Sequence, residues 1–274
     1  MVTEQAYKYI LFEQRDRVGL ITLNRPDRLN AWTYDMGDEV NAAIEACNQD
    51  PGVGAIVVTG AGRGFCAGAD VAGFNRSIEQ RESGETNTNG LGEGESRRET
   101  EHLSAFLRRS KPLIAAVNGP SIGVGMTMTL PMDIRIASDT ARFSMRFIRM
   151  GITPEVASTV YLPQIVGLQN ALDLILTART IEADEALRMG LVRSVVPGDR
   201  LLDEAMALAS EIANNPTDAV IEGKRMVHAH MVEQDVDAIV REENRTFYKA
   251  SKGPAHKEAV RAFLEKRKPE FNRG

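Results

Sequence analysis

Residues 55–60 read AIVVTG, a short unbroken apolar run ending on glycine and preceded by the breaker stretch QDPGVG at 49–54. A run of this length without alternation is the pattern of a strand covered on both faces, as in parallel sheets. The same rhythm returns in LIAAVNG (113–119), DIRIAS (133–138) and LVRSVV (191–196), with glycine-containing or helical segments between them. Strands alternating with helices predict right-handed crossover units and a largely parallel α/β arrangement. Upstream, YILFEQ (9–14) and VGLITLN (18–24) flank the charged RDR and predict an opening hairpin. Residues 34–49 carry Met36, Val40, Ile44 and Cys47 at helical spacing and predict the first helix.

Two stretches depart from this rhythm. Residues 72–100 are polar and glycine-rich, too poor in apolar surface to order themselves, and predict a mobile loop over the fold. Beyond residue 198 strand signals give way to successive amphipathic helices. The expected division is a core over 1–198 and a helical region over 199–274 that serves oligomerisation and pocket cover.

Composition narrows the function classes. With 33 Lys+Arg against 38 Asp+Glu the net charge is -5, which argues against a nucleic-acid or anionic-membrane binder. The most apolar stretch, 113–132, is interrupted by Asn118, Pro120 and Pro131, so a buried strand and helix are expected rather than a membrane span. Cys47 and Cys66 are too few for a disulfide framework, and the N-terminus lacks a basic-then-apolar leader; a reducing, cytoplasmic setting is the expectation. No Cys/His cluster has zinc spacing, and His228 and His230, two apart on a predicted helix, point to different sides.

Three stretches carry candidate chemistry. TGAGRGFCAGAD (59–70) follows a buried strand and is a weak nucleotide fingerprint, because no helix reads on from it. Its glycines nonetheless suit backbone N–H groups laid bare for a ligand oxygen, or a plain strand-to-loop turn. In VNGPSIGVGMTMTLPMD (117–133), Gly123 and Gly125 flank Val124 where a helix should begin, and free N–H groups there stabilise developing negative charge. In GITPEVAST (151–159), Thr153 reads as a helix N-cap, Pro154 as the first helical residue and Glu155 as a first-turn acid. On local grounds Glu155 is a capping-region acid. Cys66 reads as a small packing residue.

Taken together, NRPDRLNAWT, GRGFCAGAD, VNGPSIGVGMTMTLPMDIRIAS, FIRMGITPEVAST and FLEKRKPEFNRG resemble, in order and nearly end to end, the crotonase superfamily, also called the enoyl-CoA hydratase/isomerase family. The resemblance implies a crotonase-like spiral of ββα repeats with a C-terminal helical subdomain, assembled as a homotrimer or homohexamer. It also implies an acyl-CoA thioester substrate, with coenzyme A part of the substrate and no metal or redox cofactor. By position, Ala69 and Val124 match the two residues whose main-chain N–H groups bind the thioester oxygen. Ala67, Gly68, Asp70 and Val71 match the segment bordering the CoA adenine, and Gly123 flanks the second donor. Arg25 and Arg28 match the region that holds the CoA phosphates.

Where typical hydratases of the family carry two glutamates, this chain has Thr127 and Phe147, which line the same pocket but can neither activate water nor protonate carbon. Glu155 matches the position where one group of Δ3,Δ2-enoyl-CoA isomerases carries a single catalytic carboxylate. The resemblance thus implies enolate chemistry, with isomerisation ahead of hydration and of low-turnover acyl-CoA binding. RNA binding, which a few relatives show, is not expected from the acidic balance.

Overall fold

A computed structural model describes residues 7–70 and 101–271. The predicted hairpin forms from β1 (Ile10–Arg15) and β2 (Val18–Leu23), antiparallel and closed by Asp16 in the left-handed region. Helix α1 (Tyr34–Gln49) follows, with the Thr33 side chain accepting from the Met36 amide as N-cap. Then come β3 (Ala55–Gly60), α2 (Leu103–Arg109), β4 (Leu113–Val117), β5 (Pro120–Ile122) and the single-turn α3 (Val124–Thr127). The chain continues through β6 (Ile134–Ser138), β7 (Arg142–Ser144), α4 (Ser158–Val166), α5 (Leu168–Thr177), β8 (Thr180–Glu182), α6 (Ala183–Arg188) and β9 (Ser194–Val196). Four helices close it: α7 (Leu201–Ala213), α8 (Thr217–His230), α9 (Val236–Ser251) and α10 (Pro254–Leu264).

Among the described residues the main sheet runs β1-β2-β3-β4-β6-β9, parallel after the hairpin, and a smaller sheet runs β5-β7-β8. The α/β expectation holds, and AIVVTG, LIAAVNG, DIRIAS and LVRSVV supply the parallel strands β3, β4, β6 and β9, with β2 parallel to β3. Each strand feeds both faces, as period-two geometry requires. Ile56 and Val58 join the core under α1 and α2, while Ala55 and Val57 join a second cluster with Leu201, Ala205, Ala209 and Ala213 of α7. The alanines recur every fourth residue, a smooth stripe that lets α7 lie close against the strands. A division at residue 198 therefore falls between a strand and a helix that share a core. The more independent part of the tail is α8 to α10, pinned by Lys224, whose Nζ lies 2.8 Å from Asp133 and 2.9 Å from the Leu107 carbonyl.

Candidate active site

The parallel topology gathers the glycine-rich loops at the C-terminal ends of β3 and β4, where ligands of open parallel sheets bind. Two asparagine side chains, Asn30 buried and Asn118 half-buried, shape the first loop. Asn30, itself left-handed at φ 55°, donates to the carbonyls of Ala61 (3.0 Å) and Gly64 (2.8 Å) and accepts from the Arg25 amide (2.8 Å). Asn118 accepts from the Gly60 amide and donates to the Gly62 carbonyl (2.9 Å). Neither was singled out in the sequence, since their partners lie some 30 to 60 residues away.

Within this frame Ala69 makes a parallel bridge to Trp32. The Trp32 amide donates to the Gly68 carbonyl (2.8 Å) and the Asp70 amide to the Trp32 carbonyl (2.9 Å). In a parallel bridge the N–H of the residue between the two bonded ones faces the other way, so Ala69 turns its donor away from Trp32. Val124 opens α3, ahead of the first in-helix bonds, which run from the Met126 and Thr127 amides to the Gly123 carbonyl. Neither the Ala69 nor the Val124 amide has a backbone acceptor among the described residues. By contrast the Ala67 amide is engaged by the Leu29 carbonyl at 3.0 Å.

The two loops touch. The Ile122 amide donates to the Cys66 carbonyl (2.9 Å), and a Cβ on Gly125 would lie 2.2 Å from that same oxygen, so only glycine permits this approach. Gly123 takes φ 54°, ψ −122°, a conformation open to glycine alone. Behind α3, buried Arg135 donates to the carbonyls of Thr129 (3.0 Å), Leu130 (3.3 Å), Met132 (2.8 Å) and Leu191 (2.8 Å). Burial brings its pKa down to about 10, which leaves it charged at neutral pH. It closes the turns that begin at Val124, a long-range part that sequence spacing does not announce.

The third segment is tied to the second loop. The Gly123 amide donates to the Ser144 carbonyl (2.9 Å), and the buried Phe147 ring tip lies 4.0 Å from where a Cβ on Gly123 would sit. The Ile152 amide returns to the Phe147 carbonyl (3.2 Å), and Glu155 follows three residues on, about 10 Å of chain at most. Here the structure corrects the sequence: α4 starts at Ser158, not at Pro154, and Glu155 precedes the helix. Val156 and Ala157 between them are left-handed, at a cost of roughly 1–2 kcal/mol each. Much of the Glu155 residue is exposed, yet enough protein crowds its carboxyl that desolvation raises its pKa above the ordinary carboxylate range.

Other expected contacts are placed differently. Arg25 donates to the Ala31 carbonyl and to the Asp70 carboxylate (2.8 Å), so its fork braces the loop from within instead of reaching outward for a phosphate. Arg28 is exposed on the short turn Pro26–Arg28. Thr127 is fully buried and donates to the Val124 carbonyl (3.4 Å), so its hydroxyl serves the helix rather than a ligand. Val71 and the 72–100 loop lie outside the described residues. Burial pushes the Cys66 thiol up to about 11, which keeps it neutral and excludes a thiolate nucleophile at pH 7. No group of three or more His, Cys, Asp or Glu among the described residues is placed to hold a metal ion.

Two touching loops carry amides without a backbone acceptor, and the segment tied to the second of them carries a carboxylate of raised pKa. The family model for enoyl-CoA hydratase/isomerase matches residues 13–274. The chain belongs to the enoyl-CoA hydratase/isomerase family. A short-chain-enoyl-CoA hydratase of Clostridium acetobutylicum is 38% identical over 264 residues, covering 95% of this chain and 96% of the relative. A crotonyl-CoA hydratase of Syntrophomonas wolfei is 36% identical over 267 residues, covering 97% and 98%. The crystal structure of an enoyl-CoA hydratase subunit from Geobacillus kaustophilus superposes with a TM-score of 0.82 at 32% identity, over 97% of this chain and 98% of that one. The crotonase fold of the family is thus the fold of this chain.

Proposed function

We propose that the protein isomerises the double bond of an enoyl-CoA thioester, with Glu155 as the single proton-transfer group. The supporting observation is the position of Glu155: a carboxylate of raised pKa on the segment tied to the Gly123 loop, while Thr127 and Phe147 occupy the sites of the hydratase acids. On a 3-enoyl substrate the Glu155 carboxylate takes a proton from C2. The C–H electron pair enters a dienolate whose charge on the thioester oxygen is held by the amides of Ala69 and Val124. The same carboxyl returns the proton at C4, leaving the double bond between C2 and C3. A raised pKa suits a group that must both take and return a proton near neutrality.

A second reading, hydration of a 2-enoyl-CoA, draws support from the relatives' names, which say hydratase. Solvent deuterium incorporation and product identity, followed by NMR with trans-3-enoyl-CoA and trans-2-enoyl-CoA, separate the two. Conversion of the 3-enoyl substrate that Glu155→Gln abolishes supports isomerisation. A 3-hydroxyacyl product formed equally by both proteins supports hydration by other groups. Coenzyme A binding without turnover by either protein supports a low-turnover binding role.

The substrate is the only small molecule the proposal requires, with neither metal nor redox cofactor. Exposed Val236, Phe247, Tyr248, Phe263 and Leu264 on α9 and α10 support a homotrimer or homohexamer, which sedimentation resolves. No helix among the described residues is long and apolar enough to cross a membrane, and a cytoplasmic location is part of the same proposal.

A further inference from the structure

Residues 155–158 form a reversal seldom built from such side chains. The Ser158 amide donates to the Glu155 carbonyl at 3.0 Å, and the two residues between are both left-handed, Val156 at φ 55° and Ala157 at φ 54°, ψ 22°. This is the pattern of a type I′ turn, whose central positions are ordinarily Asn, Asp or Gly because a Cβ there crowds the backbone. A β-branched valine is among the least suited residues of all.

The chain has a relaxed alternative. Thr153, Pro154 and Glu155 read as cap, first helical residue and first-turn acid of a helix beginning before Glu155. Taking it would extend α4 backward with ordinary φ values and set Glu155 on the helix. Instead α4 starts at Ser158 with no side-chain cap, and the buried Ser158 hydroxyl has no partner among the described residues. The departures from the stable solution fall together on the residues directly after the carboxylate. Strain of this kind persists where the surroundings over-determine it. Upstream, the Ile152 amide is fixed to Phe147 and Gly123 to Ser144; downstream, Leu162 and Val166 are anchored in the core.

We propose that Val156 and Ala157 are positioning residues. Their left-handed turn withholds Glu155 from the first turn of α4 and keeps its carboxyl on the side of the Ala69 and Val124 amides, a role that rests on Glu155 being the proton-transfer group. The turn trades stability for aim.

Glycine and proline variants test this from opposite sides. Val156→Gly and Ala157→Gly keep the turn without its Cβ; kcat for the 3-enoyl substrate stays within about threefold and Tm rises by roughly 2 °C. Val156→Pro fixes φ near −65° and abolishes the turn. Its kcat falls by about 100-fold while the Kd for free coenzyme A is unchanged, and the ascending limb of its kcat–pH profile moves to lower pH as the carboxyl leaves its crowded setting. A merely structural role would not move that limb. If the proline variant does not fold, Ala157→Val replaces it, with lower Tm and about tenfold lower kcat at unchanged coenzyme A affinity.

Full activity in Val156→Pro, unchanged kcat in Ala157→Val, or a lower Tm in both glycine variants overturns the proposal. Glu155→Gln run alongside assigns any failure. If that variant is inactive while Val156→Pro is active, the positioning role fails alone. If Glu155→Gln is fully active, the proton-transfer reading fails, and the glycine variants still judge the strain.

Discussion

Around Gly125 the backbone of one loop approaches the Cys66 carbonyl of the other too closely for any side chain, and Arg135, Asn30 and Asn118 fasten both loops to buried carbonyls. Around Glu155 the chain is largely exposed and runs through two left-handed side chains before its helix begins. The first region is locked and stabilising; the second is strained and less enclosed. On the proposed mechanism the difference divides the chemistry. Holding charge on a thioester oxygen needs fixed main-chain donors, and these are built into the packing. Proton transfer needs one carboxylate held at the right place, and Glu155 sits on a strained segment outside that frame.

The comparison breaks first if the carboxylate is dispensable. Glu155→Gln is expected to lower kcat about 1000-fold, read by steady-state turnover. It is also expected to stabilise the protein at neutral pH. Because the folded-state pKa is raised, the protonated carboxyl is the form the fold favours. That contribution is complete below the unfolded pKa and is lost as pH rises through the folded value. Thermal melts should therefore show the variant ahead at pH 7 and level with the wild type near pH 4; a variant less stable at pH 7 contradicts the desolvated setting.

Gly125→Ala attacks the locked region. Its methyl must push Cys66 away, so roughly 1–3 kcal/mol of stability and about 100-fold in kcat should be lost together. Arg135→Met leaves buried carbonyls unpaired; about 2–3 kcal/mol of stability in denaturant unfolding and about tenfold in kcat is the expectation, with KM little altered. A purely kinetic effect from either would blur the contrast. The smallest effect is expected at Cys66: its neutral thiol should resist iodoacetamide in the native protein, and Cys66→Ala should keep kcat within about twofold.

The locked region was also the more legible. AIVVTG and LIAAV announce buried parallel strands because both faces are covered, and the glycines after them mark backbone that must come close. Ala69 and Val124, matched by position to the family, both carry amides without a backbone acceptor among the described residues. Glu155 was misplaced because Thr-Pro-Glu satisfies the local grammar of a helix start, and that grammar yields to tethers such as Ile152 to Phe147. At Arg25 a basic loop suggests phosphates, while the structure shows its guanidinium bonded to Asp70 within the loop, a partner 45 residues away that spacing does not announce. Arg135, Asn30 and Asn118 act on carbonyls that the fold alone brings to them.

The packing of α7 against the underside of the sheet bears on synthesis. Val18, Leu20, Ala55, Val57, Ile114 and Ala116 bury one face only when Leu201, Ala205, Ala209 and Ala213 arrive. On the ribosome, those strands emerge with that face wet and stay so until the chain has grown past Ala213. A nascent chain stalled at residue 198 therefore presents a broad apolar plane, and that stretch of translation is where a holding chaperone has most to cover.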